Sequence, residues 1–307
     1  CPGTVTDSKT TPVTMELYSG SNPGSIFSGV IQDGAGKVSV LLDSSTLTLT
    51  GVNTYSGTTT IASGAGVVLS GGGSIANSSV VDGGSLDISA TTAGGTVGSL
   101  SGSGIVALGA QTLTLAKGTG TFSGVIGGTG GLTVSGAMQT LTGANTFTGD
   151  IAVTSGILTA GTNDTLNGHT VRMTGGGLGY GAGVTLADDV VLAGDNTQVR
   201  VASGTATETG VISESGGSRS LDKTGDGTLV IDTAVTYTGA TIVDGGTLRA
   251  GVADAFASSG VFQVAQGATL DFGGFDQSVA ELSGAGNVDI GSATLTAGSD
   301  NMDTIFS

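Results

Sequence analysis

The 307 residues include one cysteine, three prolines and no tryptophan, and lysine and arginine together number 8 against 24 aspartates and glutamates. Each shortage excludes something. With Cys1 alone no internal disulfide can form, so the fold rests on its core. Three prolines exclude collagen and Pro-rich linkers, and an aromatic content of 4% excludes a conventional aromatic core. A net charge of -16 repels nucleic acid and anionic membrane surfaces. No apolar run approaches the roughly 18 residues that span a bilayer, and no signal peptide is recognisable. An export signal or anchor is therefore expected outside this stretch, and Cys1-Pro2 is expected to be a cloning remnant rather than a lipidated terminus.

Glycine and aliphatic residues are abundant instead. Glycine supplies 59 residues, and hydrophobic residues make up 37% of the chain, placed regularly enough to bury a thin aliphatic core. Charge is uneven: residues 188–307 hold 16 acids and 4 bases, net -12, while residues 1–187 hold 8 and 4, net -4.

The segment 122–161, FSGVIGGTGGLTVSGAMQTLTGANTFTGDIAVTSGILTAG, occurs in altered form from Phe27 and again from Glu208. At Thr304-Ile305-Phe306-Ser307 a fourth copy is expected to begin, as in a piece of a longer array. Matching hydroxyls at Ser28, Ser123 and Thr209 lie 95 and 86 residues apart, which is four coils of roughly 22 residues per copy. Stretches such as Thr46-Leu47-Thr48-Leu49 and Thr112-Leu113-Thr114-Leu115 alternate polar with apolar residues and read as half-buried strands. Gly-Gly, Asp-Gly and Ser-Gly turns recur between them and leave almost no room for helix. Strands this short suit parallel coils better than propeller blades. The expected fold is all-β, a parallel β-helix (solenoid) of about fourteen coils and roughly 65 to 70 Å. Residues 1–307 are expected to form one array, with 1–26 a diverged lead-in coil.

The succession Phe-Ser-Gly-Val-Ile, Gly-Gly-Leu, Thr-Leu-Thr-Gly-Ala-Asn-Thr-Phe-Thr-Gly and Gly-Ile-Leu resembles the passenger-associated repeat of bacterial autotransporters. Three copies and the start of a fourth cover most of the chain. The resemblance implies a right-handed β-helix, export across the outer membrane through a barrel located elsewhere in the full-length protein, and a place on the cell surface or in the medium. The third copy departs from the pattern: Asn53 and Asn145 become Val235, and Phe27 and Phe122 become Glu208.

The repeat marks structural positions: Phe27, Asn53, Tyr55, Phe122, Asn145, Phe147 and Tyr237. Leu49, Leu141 and Ile231, each six residues before the aromatic of its copy, are expected to point inward. The asparagines are expected at turns, their amides satisfying backbone groups, with Val235 in a looser or differently shaped turn. Tyr55, Phe147 and Tyr237 are expected as an aromatic stack inside the solenoid.

Candidate chemistry is sparse. His169, the single histidine, has no nucleophile motif beside it and reads as a surface residue. Asp188-Asp189 resembles the paired acids of polysaccharide hydrolases without completing them. Asp222-Lys223-Thr224-Gly225-Asp226-Gly227 has partial calcium-loop spacing, but Thr233 stands where a bidentate glutamate is needed. Asp300-Asn301-Met302-Asp303 offers weak cation ligation. Gly34-Ala35-Gly36-Lys37-Val38-Ser39 imitates a phosphate loop but lacks its first glycine and a following helix. These readings point to no catalytic residue, no cofactor and no metal. The expected role is adhesion to a host or abiotic surface, or self-association between cells, through outward Thr, Ser, Asn and Asp ladders. The less charged residues 1–187 are expected to carry the self-association. The alternative is a passive stalk displaying a protease or esterase, with a polysaccharide-active enzyme third.

Overall fold

Strands of two to ten residues carry the regular backbone, because a glycine or polar turn interrupts each apolar alternation before it lengthens. The computed structural model describes residues 3–17, 24–163, 165–258 and 260–298, and no helix occurs among them. Cys1-Pro2, Asp300-Asn301-Met302-Asp303 and Thr304–Ser307 lie outside the described residues.

Strands pair in parallel with those one turn before and one turn after, stacking into a β-solenoid of about 14 turns. Each turn contains up to three strands. Ser85–Thr91, Gly95–Val97 and Leu100–Gly102 form one turn, and Ile105–Gly109, Leu113–Leu115 and Thr119–Phe122 the next. They meet at Ser85↔Ile105, Gly95↔Leu113 and Gly102↔Phe122.

Contacts divide the chain into two compact units, Cys1–Ile151 and Ala152–Ser307. In the first, an inward file of Leu47, Val67, Leu86, Val106 and Ile126 advances by 20, 19, 20 and 20 residues, and all five are buried. In the second, Leu178, Val199, Lys223, Val243 and Val264 form such a file, advancing by 21, 24, 20 and 21 residues. These advances average about 21 residues, a little under the expected coil of roughly 22, and they vary because the corners differ in length. A lysine stands within the second file. It is fully buried, and its Nζ donates to the carbonyl oxygens of Thr224, Gly225 and Gly245 at 3.1, 3.0 and 2.9 Å, which offsets the loss of water. Burial still pushes the ammonium down to about 8, against the pull of Asp226 and Asp222.

Leu49, Leu141 and Ile231 are buried as expected, and their register explains the shared position. Each sits one coil beyond the first residue of its own copy: Phe27↔Leu49, Phe122↔Leu141 and Glu208↔Ile231.

Candidate functional site

The repeat positions fall at strand ends and corners. Phe122, Phe147, Tyr55 and Tyr237 are buried, whereas Phe27 is half-buried in an apolar recess of about 260 Å³ with Met15, Leu17, Ile31 and Leu47. Tyr55, Phe147 and Tyr237 do not make the expected stack. They are separated in sequence by about four coils, and the ring pairs seen among the described residues are instead Phe256 with Phe262 and with Phe272, centroids 5.4 and 6.0 Å apart. Each tyrosine finds a local partner: the Tyr55 and Tyr237 hydroxyls lie 2.6 Å from Thr59 Oγ1 and Thr241 Oγ1, four residues ahead.

The asparagines bridge coils. Asn53 Oδ1 accepts from the Ile31 amide at 2.8 Å, and Asn145 Oδ1 from the Ile126 amide at 2.9 Å. Their Nδ2 groups donate to Gly51 O and Gly143 O at 3.0 and 3.2 Å. At Val235 the side-chain bond is lost, yet the backbone pairing persists. Val235 N donates to Ala255 O at 3.1 Å as Asn53 N does to Ser74 O at 2.9 Å, and Thr236 N donates to Ile212 O as Thr54 N does to Ile31 O. The backbone pairing at Val235 therefore matches that at Asn53. Ladder bonds hold its backbone without the amide.

Where two copies open with phenylalanine, the third opens with a carboxyl group. Glu208 is fully buried, accepts from Tyr180 Oη at 2.6 Å through Oε2, and from the Gly210 amide at 2.7 Å through Oε1. The first unit repeats the device unexpectedly at Asp82. This residue stands in the inward file Ile61, Asp82, Gly102, Phe122, Leu141, with Oδ1 accepting from the Gly84 amide at 3.0 Å. Both acids precede a glycine by two residues, as Phe27 and Phe122 precede Gly29 and Gly124. The shared spacing was visible in the sequence, but nothing there marked Asp82 as inward. Burial pushes Glu208 up to about 8 and Asp82 up to about 6, in each case despite the hydrogen bonds to the carboxylate.

The structure also joins residues that the sequence offered separately. His169 is half-buried, and the backbone amides of Gly168 and His169 donate to Asp188. Asp188 is buried, its Oδ1 has no hydrogen-bond partner, and desolvation raises its pKa; Asp189 is exposed, and its Oδ1 accepts from the Val211 amide at 2.8 Å.

A second acid pair lies on the outer surface of the second unit. Asp222 is pushed up to about 6 by burial and by Asp244, to which it is hydrogen-bonded. The adjoining groove of about 310 Å³ is lined by Asp195, Asn196, Thr197, Ser220, Leu221, Asp222 and Ile242, and Arg219 pairs with Asp195 at 3.0 Å. Glycoside hydrolysis places its two carboxyls about 5 to 9.5 Å apart so that a sugar, or a sugar and water, fits between them. The hydrogen bond between Asp222 and Asp244 holds the two carboxyls closer than that spacing. In the Asp222 run Asp222 faces outward and Lys223 inward, and among the described residues no group of three or more His, Cys, Asp or Glu side chains is placed to hold a metal ion. The Gly34–Ser39 loop closes on itself and its neighbours, with Ala35 N bonded to Asp7 O and Val38 N to Asp33 Oδ1.

Outward side chains form files. In the first unit Thr60, Val81 and Ser101 are in register on one face, Thr121 and Thr140 beyond them, and Thr96, Thr114 and Thr133 on another. Threonine ladders are not confined to the less charged half, however. In the second unit Thr205, Thr228, Thr247, Thr269 and Asn287 form an unbroken register, and beside them run Thr207, Val230, Arg249, Asp271 and Asp289. Arg249 Nε lies 3.4 Å from Asp271 Oδ2.

Comparison with known proteins agrees with the repeat. The family model described as passenger-associated-transport-repeat matches residues 42–65 and 221–250, parts of the first and third copies. The chain is 49% identical over 90 residues to the protein named "Adhesin BmaC autotransporter" of Brucella suis biovar 1 (strain 1330). That match covers 28% of this chain and 3% of the relative's length. No solved structure matches significantly. These matches, together with the repeat, support an autotransporter passenger array.

Proposed function

We propose that this passenger segment works in adhesion, by holding a surface or another copy of itself through outward hydroxyl files rather than through a single pocket. The observation that carries the reading is the regular spacing of those files. Parallel coils set successive side chains about 4.8 Å apart, so one rigid face presents many weak donors and acceptors, and many displayed copies multiply them. The adhesin name of the Brucella relative supports it.

Between copies, the first unit is the favoured face. The files Thr60, Val81, Ser101 and Thr96, Thr114, Thr133 contain no charge, while the second unit's threonines run beside Arg249, Asp271 and Asp289. Two acidic stretches facing one another repel until salt screens them. Bacterial clumping and sedimentation test this: replacing Thr96, Thr114 and Thr133 by aspartate should abolish association, and the same change at Thr228, Thr247 and Thr269 should leave most of it. A chain that stays monomeric at every salt concentration and protein concentration, with clumping indifferent to both sets, overturns the self-association reading. The segment is proposed to be non-enzymatic, and turnover of a polysaccharide or ester that vanishes in Asp222→Asn or Asp188→Asn would refute that.

A further inference from the structure

We infer that the Glu208 corner is a pH-sensitive latch in the second unit, closed while Glu208 keeps its proton and loosened when that carboxyl ionises. The argument begins with position. Glu208 pairs in register with Leu186 on one side and Ile231 on the other, both buried, so the elements stacked directly on it supply no charge. The groups that do face it are the Tyr180 hydroxyl, hydrogen-bonded at 2.6 Å, and the carboxyls of Asp188 and Asp189. Asp188 is itself buried, and its own surroundings add His169 and the amides of Gly168 and His169. No cation is bonded to the Glu208 carboxyl among the described residues; its partners are the Tyr180 hydroxyl and the Gly210 amide.

An ionised Glu208 would place a second negative charge beside Asp188, away from water and with only two donors. The closed corner therefore favours the protonated acid. Its folded value of about 8 stands above the ordinary 4.5. Between those values the closed state holds a proton that the opened state releases. The stabilisation is complete below about 4.5, declines as pH rises, and is spent above about 8. Opening of the corner should accordingly grow by about tenfold per pH unit across that window and then level off. The corresponding corner at Phe122, with a hydrocarbon ring in place of the acid, has no such dependence.

Amide hydrogen exchange of the whole chain from pH 6.5 to 9.5, above the window of Asp82 and corrected for the intrinsic pH dependence of exchange, tests the latch. Protection over residues 206–212 should fall about tenfold per unit up to about pH 8 and then stay level, while residues 122–126 hold constant. Glu208→Gln should flatten the profile. Tyr180→Phe, which removes a donor to the carboxylate, should carry the levelling point to higher pH, and this arm decides the matter if the glutamine variant does not fold. A slope that persists in Glu208→Gln, a levelling point unmoved in Tyr180→Phe, or a parallel loss at residues 122–126 overturns the proposal.

Discussion

The hydroxyl of Tyr55 lies 2.6 Å from that of Thr59 inside the core, and the pair changes together from copy to copy. Tyr237 meets Thr241 at 2.6 Å, but where the second copy has Phe147 the residue four ahead is Ile151, both fully buried. A hydroxyl is present at both positions or at neither, because the tyrosine hydroxyl alone would be buried without that partner.

Phe147→Tyr should therefore destabilise the chain by about 1 to 3 kcal/mol, the cost of an unsatisfied buried polar group. Adding Ile151→Thr should recover most of the loss. Urea unfolding of the two single variants and the double variant measures the coupling, and strict additivity would refute the pairing. Tyr55→Phe should cost less than Tyr237→Phe, since Thr59 keeps Ser78 Oγ at 2.8 Å.

Asn145→Ala and Asn53→Ala should each cost about 1 to 3 kcal/mol, since the Ile126 and Ile31 amides would lose their acceptors in the interior. Val235→Ala should cost less than either, because the ladder bonds of Val235 and Thr236 survive any side chain. Equal losses at all three positions would show that the amide adds nothing to the ladder.

Gly124 has no room for a side chain. A Cβ there would overlap Gly104 O in the coil below and stand 2.6 Å from Phe122 Cζ. Gly124→Ala should destabilise by about 3 kcal/mol or more, whereas Gly72→Ala, with nothing within 4 Å, should stay within about 0.5 kcal/mol. Thermal unfolding of the two variants separates close coil packing from backbone entropy.

Asp82 should make the first unit more stable in acid. Its folded value, raised from 3.8 to about 6, means that its contribution is complete below 3.8, declines as pH rises and is absent above about 6. Stability of Asp82→Asn, compared with the unaltered chain across pH 3.5 to 7, should lack that decline. A window shared with the Glu208 corner, rather than ending near 6, would place the effect elsewhere.

The alternation of threonine with leucine, the glycines between, and the copy spacing by themselves determined the class of fold. They suffice because a parallel coil repeats one environment every turn, so inward Leu49, Leu141 and Ile231 and the bridging asparagines recur in the sequence as they do in space. What tertiary structure alone decided is which residues meet across coils. Asp188, Tyr180 and Glu208 are 8 and 20 residues from their neighbours in that trio, with no motif joining them, and only stacking places them at one corner. Asp82 and Lys223 carry charges that composition assigns to the surface, yet register sets them in aliphatic files. The reason is that strand register depends on corner lengths, which vary from turn to turn, and a shift of one residue exchanges the inner and outer faces.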